Sequence, residues 1–168
     1  AASILLFFYI RYELSYDKFH KDYEDIYRIV SHVQKPGGKT MDIPRTLSQV
    51  SRPLRRDIPE VVETCKLYQQ EITLQQQENL FPEVTMMWAD SSFFEIFSFK
   101  AVRGNKIAAL HTPGEVLITR SLARKYFGRE NPVNKTIRRG DIKYTVGAVL
   151  EDIPGNSHFR FDMLSNFY

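Results

Sequence analysis

The chain has 168 residues, 43% of them hydrophobic and 26% charged, with 23 basic and 20 acidic side chains and a formal net charge of +3. These proportions belong to a globular domain with a core and exclude a disordered or fibrous protein, while so mild a charge makes no case for a polyanionic partner. Cys65 is the single cysteine, which excludes an internal disulfide and a cysteine-built metal site.

The apolar run AASILLFFYI, residues 1–10, passes without a break into the charged, tyrosine-rich segment RYELSYDKFHKDYEDIYRIV, residues 11–30. Ten helical residues rise about 15 Å against the roughly 30 Å of a bilayer core, so the run reads as half of a membrane span rather than a whole one. Arg11 and Tyr12 follow it as a span's end requires, a cation and an amphipathic ring at headgroup level. A signal peptide fits less well, because no basic segment precedes the run and no small-x-small cleavage site closes it. The plainer alternative is a buried helix of a soluble protein.

The next segment reads as an amphipathic juncture, with Tyr12, Leu14, Tyr16, Phe19, Tyr23, Ile26 and Tyr27 recurring among charges. Alternation from Ile26 to Val33 predicts a strand, ended by the turn Lys35–Lys39 (KPGGK). Asp42-Ile43-Pro44 reads as a helix start, and Leu47, Val50, Leu54 and Ile58 continue at helical spacing within the limits set by Pro53 and Pro59. Arg45, Arg52, Arg55 and Arg56 form a basic cluster that reads as a solvated helix face, since no stacking aromatics interleave it.

Val61 to Glu71, Ile72 to Leu80 and Val84 to Ala89 read as three strands of an antiparallel meander broken at Pro82. Asp90-Ser91-Ser92 offers an N-cap to a short helix carrying Phe93, Phe94, Ile96 and Phe97, with Phe99 beyond it. The plain reading of these rings is core packing. The functional one is an aromatic patch for a partner, with Phe93, Phe94 and Phe97 as candidates.

Ile107 to Leu110 predicts another helical turn, and Thr112-Pro113-Gly114 a bend. Val116 to Thr119 reads as a strand, Arg120 to Phe127 as a helix stopped by Gly128, and Lys135 to Arg139 with Ile142 to Leu150 as a hairpin around Gly140-Asp141. Glu151 to Ser157 reads as a loop, and Phe159, Phe161 and Met163 as a last strand. The element order is an α+β pattern.

Catalytic and ligand-binding signals are missing. His20, His32, His111 and His158 lie far apart with no ligand spacing, no nucleophile elbow is present, and Gly37-Gly38 opens no phosphate-binding helix. The many carboxylates, Asp17, Asp22, Glu24, Asp25, Asp152 and Asp162 among them, read as surface acids. Basic residues on the predicted hairpin are diluted by Asp141, Glu151 and Asp152, which argues against nucleic acid.

Four stretches, YELSYDKFHKDYEDIYRIV, WADSSFFEIFSFKAVRGN, EVLITRSLARKYFGRENPVNKTI and YTVGAVLEDIPGNSHFRFDML, together resemble the extracytoplasmic segment of ABC transporter permeases of the MacB/FtsX type, in the version widespread in Bacteroidetes. The resemblance covers nearly the whole chain in order. It implies a MacB-like periplasmic core domain, α+β, with two small lobes of mixed or antiparallel sheet and short helices; the first lobe is expected from Ile26 to about Val61. Residues 1–12 would be the outer end of a truncated transmembrane helix and residues 13–168 the periplasmic domain, incomplete at its C-terminal end.

The resemblance further implies a non-catalytic part without cofactor or metal, mounted on the inner membrane through the N-terminal helix and facing the periplasm. Its expected partners are a cytoplasmic ABC ATPase, a second permease copy and a periplasmic protein, and its role is to transmit ATPase-driven motion to export or release of a substrate. The alternative is a soluble periplasmic ligand- or protein-binding module attached to no transporter.

Overall fold

A computed structural model of the chain describes residues 2–43, 45–76 and 79–167. Among these residues five α-helices are present: α1 (Ala2–Glu13), α2 (Ser51–Asp57), α3 (Phe93–Ile96), α4 (Lys106–His111) and α5 (Arg120–Phe127). Nine strands accompany them: β1 (Ser31–Gln34), β2 (Thr40–Ile43), β3 (Leu67–Gln76), β4 (Asn79–Ala89), β5 (Ala101–Gly104), β6 (Glu115–Thr119), β7 (Thr136–Arg139), β8 (Ile142–Leu150) and β9 (Met163–Asn166). This is the α+β mixture of sheet and short helices that the sequence implies.

The main sheet has seven strands in the order β5-β8-β6-β9-β4-β3-β7, and β7 also pairs with β8. Six strands, β8-β6-β9-β4-β3-β7, therefore close into a ring, with β5 added at the far half of β8. Among the described residues β3 meets β7 at the pair Gln75 and Arg138. The pairs β4–β9 and β6–β8 are parallel and the rest antiparallel. A parallel pair needs a crossover, and α5 lies in the connection from β6 to β8.

The central strands β6 and β9 are buried on both faces and therefore read as continuous apolar runs. Val116, Ile118, Met86, Val146, Val149 and Met163 point to a core shared with Leu122, Ala123 and Tyr126 of α5. Their strand neighbours Leu117, Met87, Ala148, Leu150 and Leu164 point to a second core beneath Ala109 and Leu110 of α4 and the rings Phe93, Phe97, Phe99 and Phe161. Period-two alternation here sorts apolar residues between two cores rather than between core and water.

Several expectations change. The predicted three-stranded meander is one long hairpin, β3–β4, because Pro82 and Glu83 sit in a bulge opposite Thr73 instead of ending a strand. A bulge has no use for the N–H that proline lacks, and Glu83 takes φ 59° there. Residues 61–66 form no strand. Side chains tie them instead: Ser92 Oγ donates to the Thr64 carbonyl at 2.7 Å, and the Lys66 N–H donates to Asp90 Oδ2 at 3.0 Å.

The helix expected from Asp42 is only α2, preceded by a 3-10 turn at Ser48–Val50, because β1 recruits Thr40–Ile43 as its hairpin partner across KPGGK. Pro53 sits in the first turn of α2, where its missing N–H has no bond to lose; Pro44, expected at the helix start, lies outside the described residues. The strand expected from Ile26 begins only at Ser31, where β2 supplies a ladder partner. The last strand is Met163–Asn166, and Phe159 and Phe161 precede it as core rings. The strand β5 is an addition to the expected set. Gly104 there takes φ 75°, and a Cβ on it would lie 2.2 Å from the Gly147 carbonyl oxygen.

The first lobe expected from Ile26 to Val61 exists as the β1–β2 hairpin and α2 but has no core of its own, since no described residue between 26 and 61 is buried. Every side chain from Ser3 to Leu14 is likewise exposed, Leu5 by 71% and Phe8 by 63%, so within this chain the run is not part of a core. Among the described residues no helix is long and apolar enough to cross a membrane.

Candidate functional site

The feature that stands out is the joint where the segment after α1 meets the loop between β8 and β9. α1 is fastened to the domain at its last turn, where the Tyr12 hydroxyl donates to the Gly155 carbonyl at 2.9 Å. The chain then turns sharply at Asp17, whose φ of 55° places it in the left-handed region. Aspartate tolerates that region better than most residues because its short side chain bonds locally.

The Asp17 carboxylate collects three donors from the loop: the Ser157 hydroxyl at 2.7 Å, the His158 N–H at 3.0 Å and His158 Nδ1 at 2.7 Å. Burial pushes its carboxyl up, but those hydrogen bonds outweigh burial and hold it below the usual aspartate value. In return the Asp17 N–H donates to the Asn156 carbonyl at 2.9 Å, and Asn156 Nδ2 donates to the Ser15 carbonyl at 3.1 Å and Oγ at 3.0 Å. Tyr16 lies over the His158 ring with centroids 4.9 Å apart. Arg160 stiffens the loop from within, its guanidinium donating to the carbonyls of Gly155, Ser157 and Phe159.

A second row of contacts runs beneath. His20 is buried, and its Nδ1 accepts the Ser98 N–H at 3.0 Å, while the Lys21 N–H donates to Ser98 Oγ at 2.9 Å. The His20 ring sits among Phe97, Phe99 and Phe159, with centroids 5.2–5.9 Å away at steep angles. Burial pushes its imidazole below 6.5, against the opposing pull of Asp17.

Both ends of the loop are fixed in the main sheet. The Glu151 N–H donates to Lys100, Asp162 exchanges backbone and side-chain bonds with Thr85, and the Thr119 N–H donates to the Asp162 carbonyl. The joint thus grips the connection between two interior strands. Beside it lies a cleft of about 320 Å³ lined by Thr85, Thr119, Ser121, Asp152, Arg160 and Asp162. Its carboxylates are engaged, Asp152 accepting the Ser121 N–H at 2.7 Å and Asp162 the Thr85 N–H at 2.9 Å.

Of the partner candidates, Phe93 and Phe97 are 0% and 8% exposed and pack against each other in the second core, with centroids 5.0 Å apart. Phe94 is half-buried, with the Lys106 ammonium 4.7 Å from its ring centroid. The burial of Phe93 and Phe97 follows from their position over the second core, where a four-residue helix has no stability without cover. Arg55 pairs with Glu63 at 2.8 Å and Arg56 with Asp57 at 2.7 Å on exposed surface, which suits the solvated-face reading. Cys65 is held inert, its thiol pushed up to about 12 by burial.

Sequence reasoning misses Asp17, His20, Asn156, Ser157 and His158 as a set. The available signal is the composition of two segments, 15–21 and 151–158, that are rich in bonding side chains yet assigned no strand.

A sequence model of the MacB-like periplasmic core domain matches residues 1–167. Among solved structures the chain is similar to a domain of a putative permease protein from Porphyromonas gingivalis, at 25% identity and TM-score 0.66, covering 82% of this chain and 59% of that one. It is also similar to the periplasmic region of MacB from Actinobacillus actinomycetemcomitans, at 16% identity and TM-score 0.50, covering 62% of this chain and 48% of that one. The second likeness speaks for the fold alone. The chain therefore spans about half to three-fifths of the length of these solved relatives. No curated protein matches it.

Proposed function

We propose, from the premise that the chain belongs to the family of MacB-like periplasmic core domains, that it is the extracytoplasmic domain of an ABC-type permease and that the joint at Asp17 carries helix motion into it. One observation supports this above all: an exposed apolar helix is fastened, at its last turn and the residues just after, to the loop between two interior strands. A displacement of α1 along or across its axis is delivered to β8 and β9 together. Because the central strands β6 and β9 are packed on both faces, they respond as a body rather than by bending locally.

On this reading α1 is the outer end of a membrane helix and the domain faces the periplasm. A cytoplasmic ABC ATPase supplies the motion, and a second permease copy and a periplasmic protein are its further partners. The joint contains no group arranged for bond making, and its carboxylates and imidazoles are committed to holding the chain together, which supports a non-catalytic role.

The test uses the whole permease with its ATPase in lipid nanodiscs, spin-labelled at two positions on the exposed surface of the domain in each copy. Distances between copies are expected to change on ATP addition, and the change to vanish when a flexible Gly-Ser insert separates Tyr12 from Asp17 while ATP hydrolysis persists. Nucleotide-independent distances, or a change that survives the insert, would refute the reading.

A further inference from the structure

We propose that His20 is a proton-operated latch on this joint: protonation of its imidazole releases residues 15–21 from the sheet domain. The inference rests on the reading of the joint as the place where motion enters, and adds how that entry is regulated.

The geometry leaves the charged ring no place. His20 is 2% exposed, and its Nδ1 is an acceptor of the Ser98 N–H at 3.0 Å, which fixes the proton of the neutral ring on Nε2. Nε2 is itself buried without a hydrogen-bond partner. A second proton must therefore land on Nδ1, where it confronts the Ser98 N–H donor to donor. That bond is lost, and the bond from the Lys21 N–H to Ser98 Oγ, one residue along, loses its alignment. A buried ring with two donors and no acceptor is stable only if the segment lifts and water reaches it.

The surroundings offer little compensation. From its own segment the ring meets Phe19, with centroids 4.1 Å apart, and feels the Asp17 carboxylate, the charge that acts on it. From the segment after α3 it meets Phe97, the Ser98 amide and Phe99; from the β8–β9 loop it meets Phe159. His158 and Arg160 of that loop are committed to Asp17 and to backbone carbonyls. Burial pushes the imidazole below 6.5 more strongly than Asp17 pulls it up, which agrees with the geometry. For a depressed imidazole the stabilising contribution is complete above 6.5 and is lost as pH falls below it, because the open state binds the proton first.

The test is amide hydrogen exchange on the 168-residue chain between pH 7.5 and 5, corrected for intrinsic rates. Opening of Ser98, Lys21 and the 153–159 amides is expected to rise by up to tenfold per pH unit below about 6.5, one proton being coupled to opening, while β6 and β9 keep their protection. His20→Asn, whose Oδ1 can replace Nδ1 as acceptor for Ser98, is expected to abolish the pH dependence, and His158→Asn to retain it. A pH-independent joint, a transition that survives His20→Asn, or an imidazole that titrates above 6.5 and tightens the joint through its aromatic neighbours would each overturn the latch. Because the readout is local opening rather than transport, the latch can hold while force transmission fails, and the nanodisc distances report that failure separately.

Discussion

Replacing Asp17 by alanine should cost the domain far more than an exposed acid ordinarily would. Ser157 is 1% exposed and donates its hydroxyl to this carboxylate, so its removal leaves a buried donor without its acceptor, and the two His158 donors lose theirs as well. The unsatisfied groups cost about 1–3 kcal/mol. Alanine at φ 55° adds about 1 kcal/mol of left-handed strain, which together gives a loss of about 2–4 kcal/mol. Asp17→Gly should recover only the backbone part, and Asp17→Asn should fall between wild type and alanine because it keeps one acceptor and tolerates the backbone.

Urea unfolding followed by circular dichroism measures each value. Its pH dependence checks the cause. The Asp17 carboxyl is held below its ordinary 3.8, so its contribution is present above 3.8 and is lost as pH falls from there through the folded value. The gap between wild type and Asp17→Ala should accordingly close in acid. A loss under about 0.5 kcal/mol at neutral pH, the ordinary surface range, or a gap that persists in acid would refute the reasoning.

Removing residues 1–10 should leave unfolding free energy within about 0.5 kcal/mol of the full chain, since the described side chains of that run are exposed; collapse or aggregation of the shortened domain by light scattering would count against it. Gly104→Ala should destabilise by about 2 kcal/mol or more in the same urea assay, because the new Cβ meets the Gly147 carbonyl oxygen at 2.2 Å and the Ala148 Cα at 2.8 Å on adjacent backbone. Cys65, with its thiol at about 12, should resist iodoacetamide at pH 8 in the folded protein and react once urea unfolds it; rapid native labelling would show that its burial is misjudged.

Elements whose signal is local were legible from residues alone. Arg120–Phe127 carries its own helical spacing, and the β7–β8 hairpin is marked by Gly140-Asp141 between alternating strands. Where tertiary partners decide, the pattern misleads: Asp42-Ile43 has the look of a helix start, but its hairpin partner, Ser31-His32 across the KPGGK turn, claims those residues. Pro82 has the look of a strand breaker, yet a bulge absorbs it. The joint was least legible of all. Asp17 and His158 are 141 positions apart, and a bond between them has no period or motif to betray it. The resemblance of four stretches supplied the architecture but no role for those side chains.

The position of β9 carries a consequence for how the chain is made. Residues 163–166 fill the slot between β4 and β6, pairing with both, although they follow those strands by roughly seventy and fifty positions. Until they emerge during synthesis or translocation, the edges of the long strand β4 and the short strand β6 that β9 will join have no ladder partner. Such edges recruit neighbouring chains. A chain interrupted before Asp162 should therefore behave as an aggregation-prone intermediate rather than as a slightly shortened domain, because the sheet is continuous only once β9 joins β4 to β6.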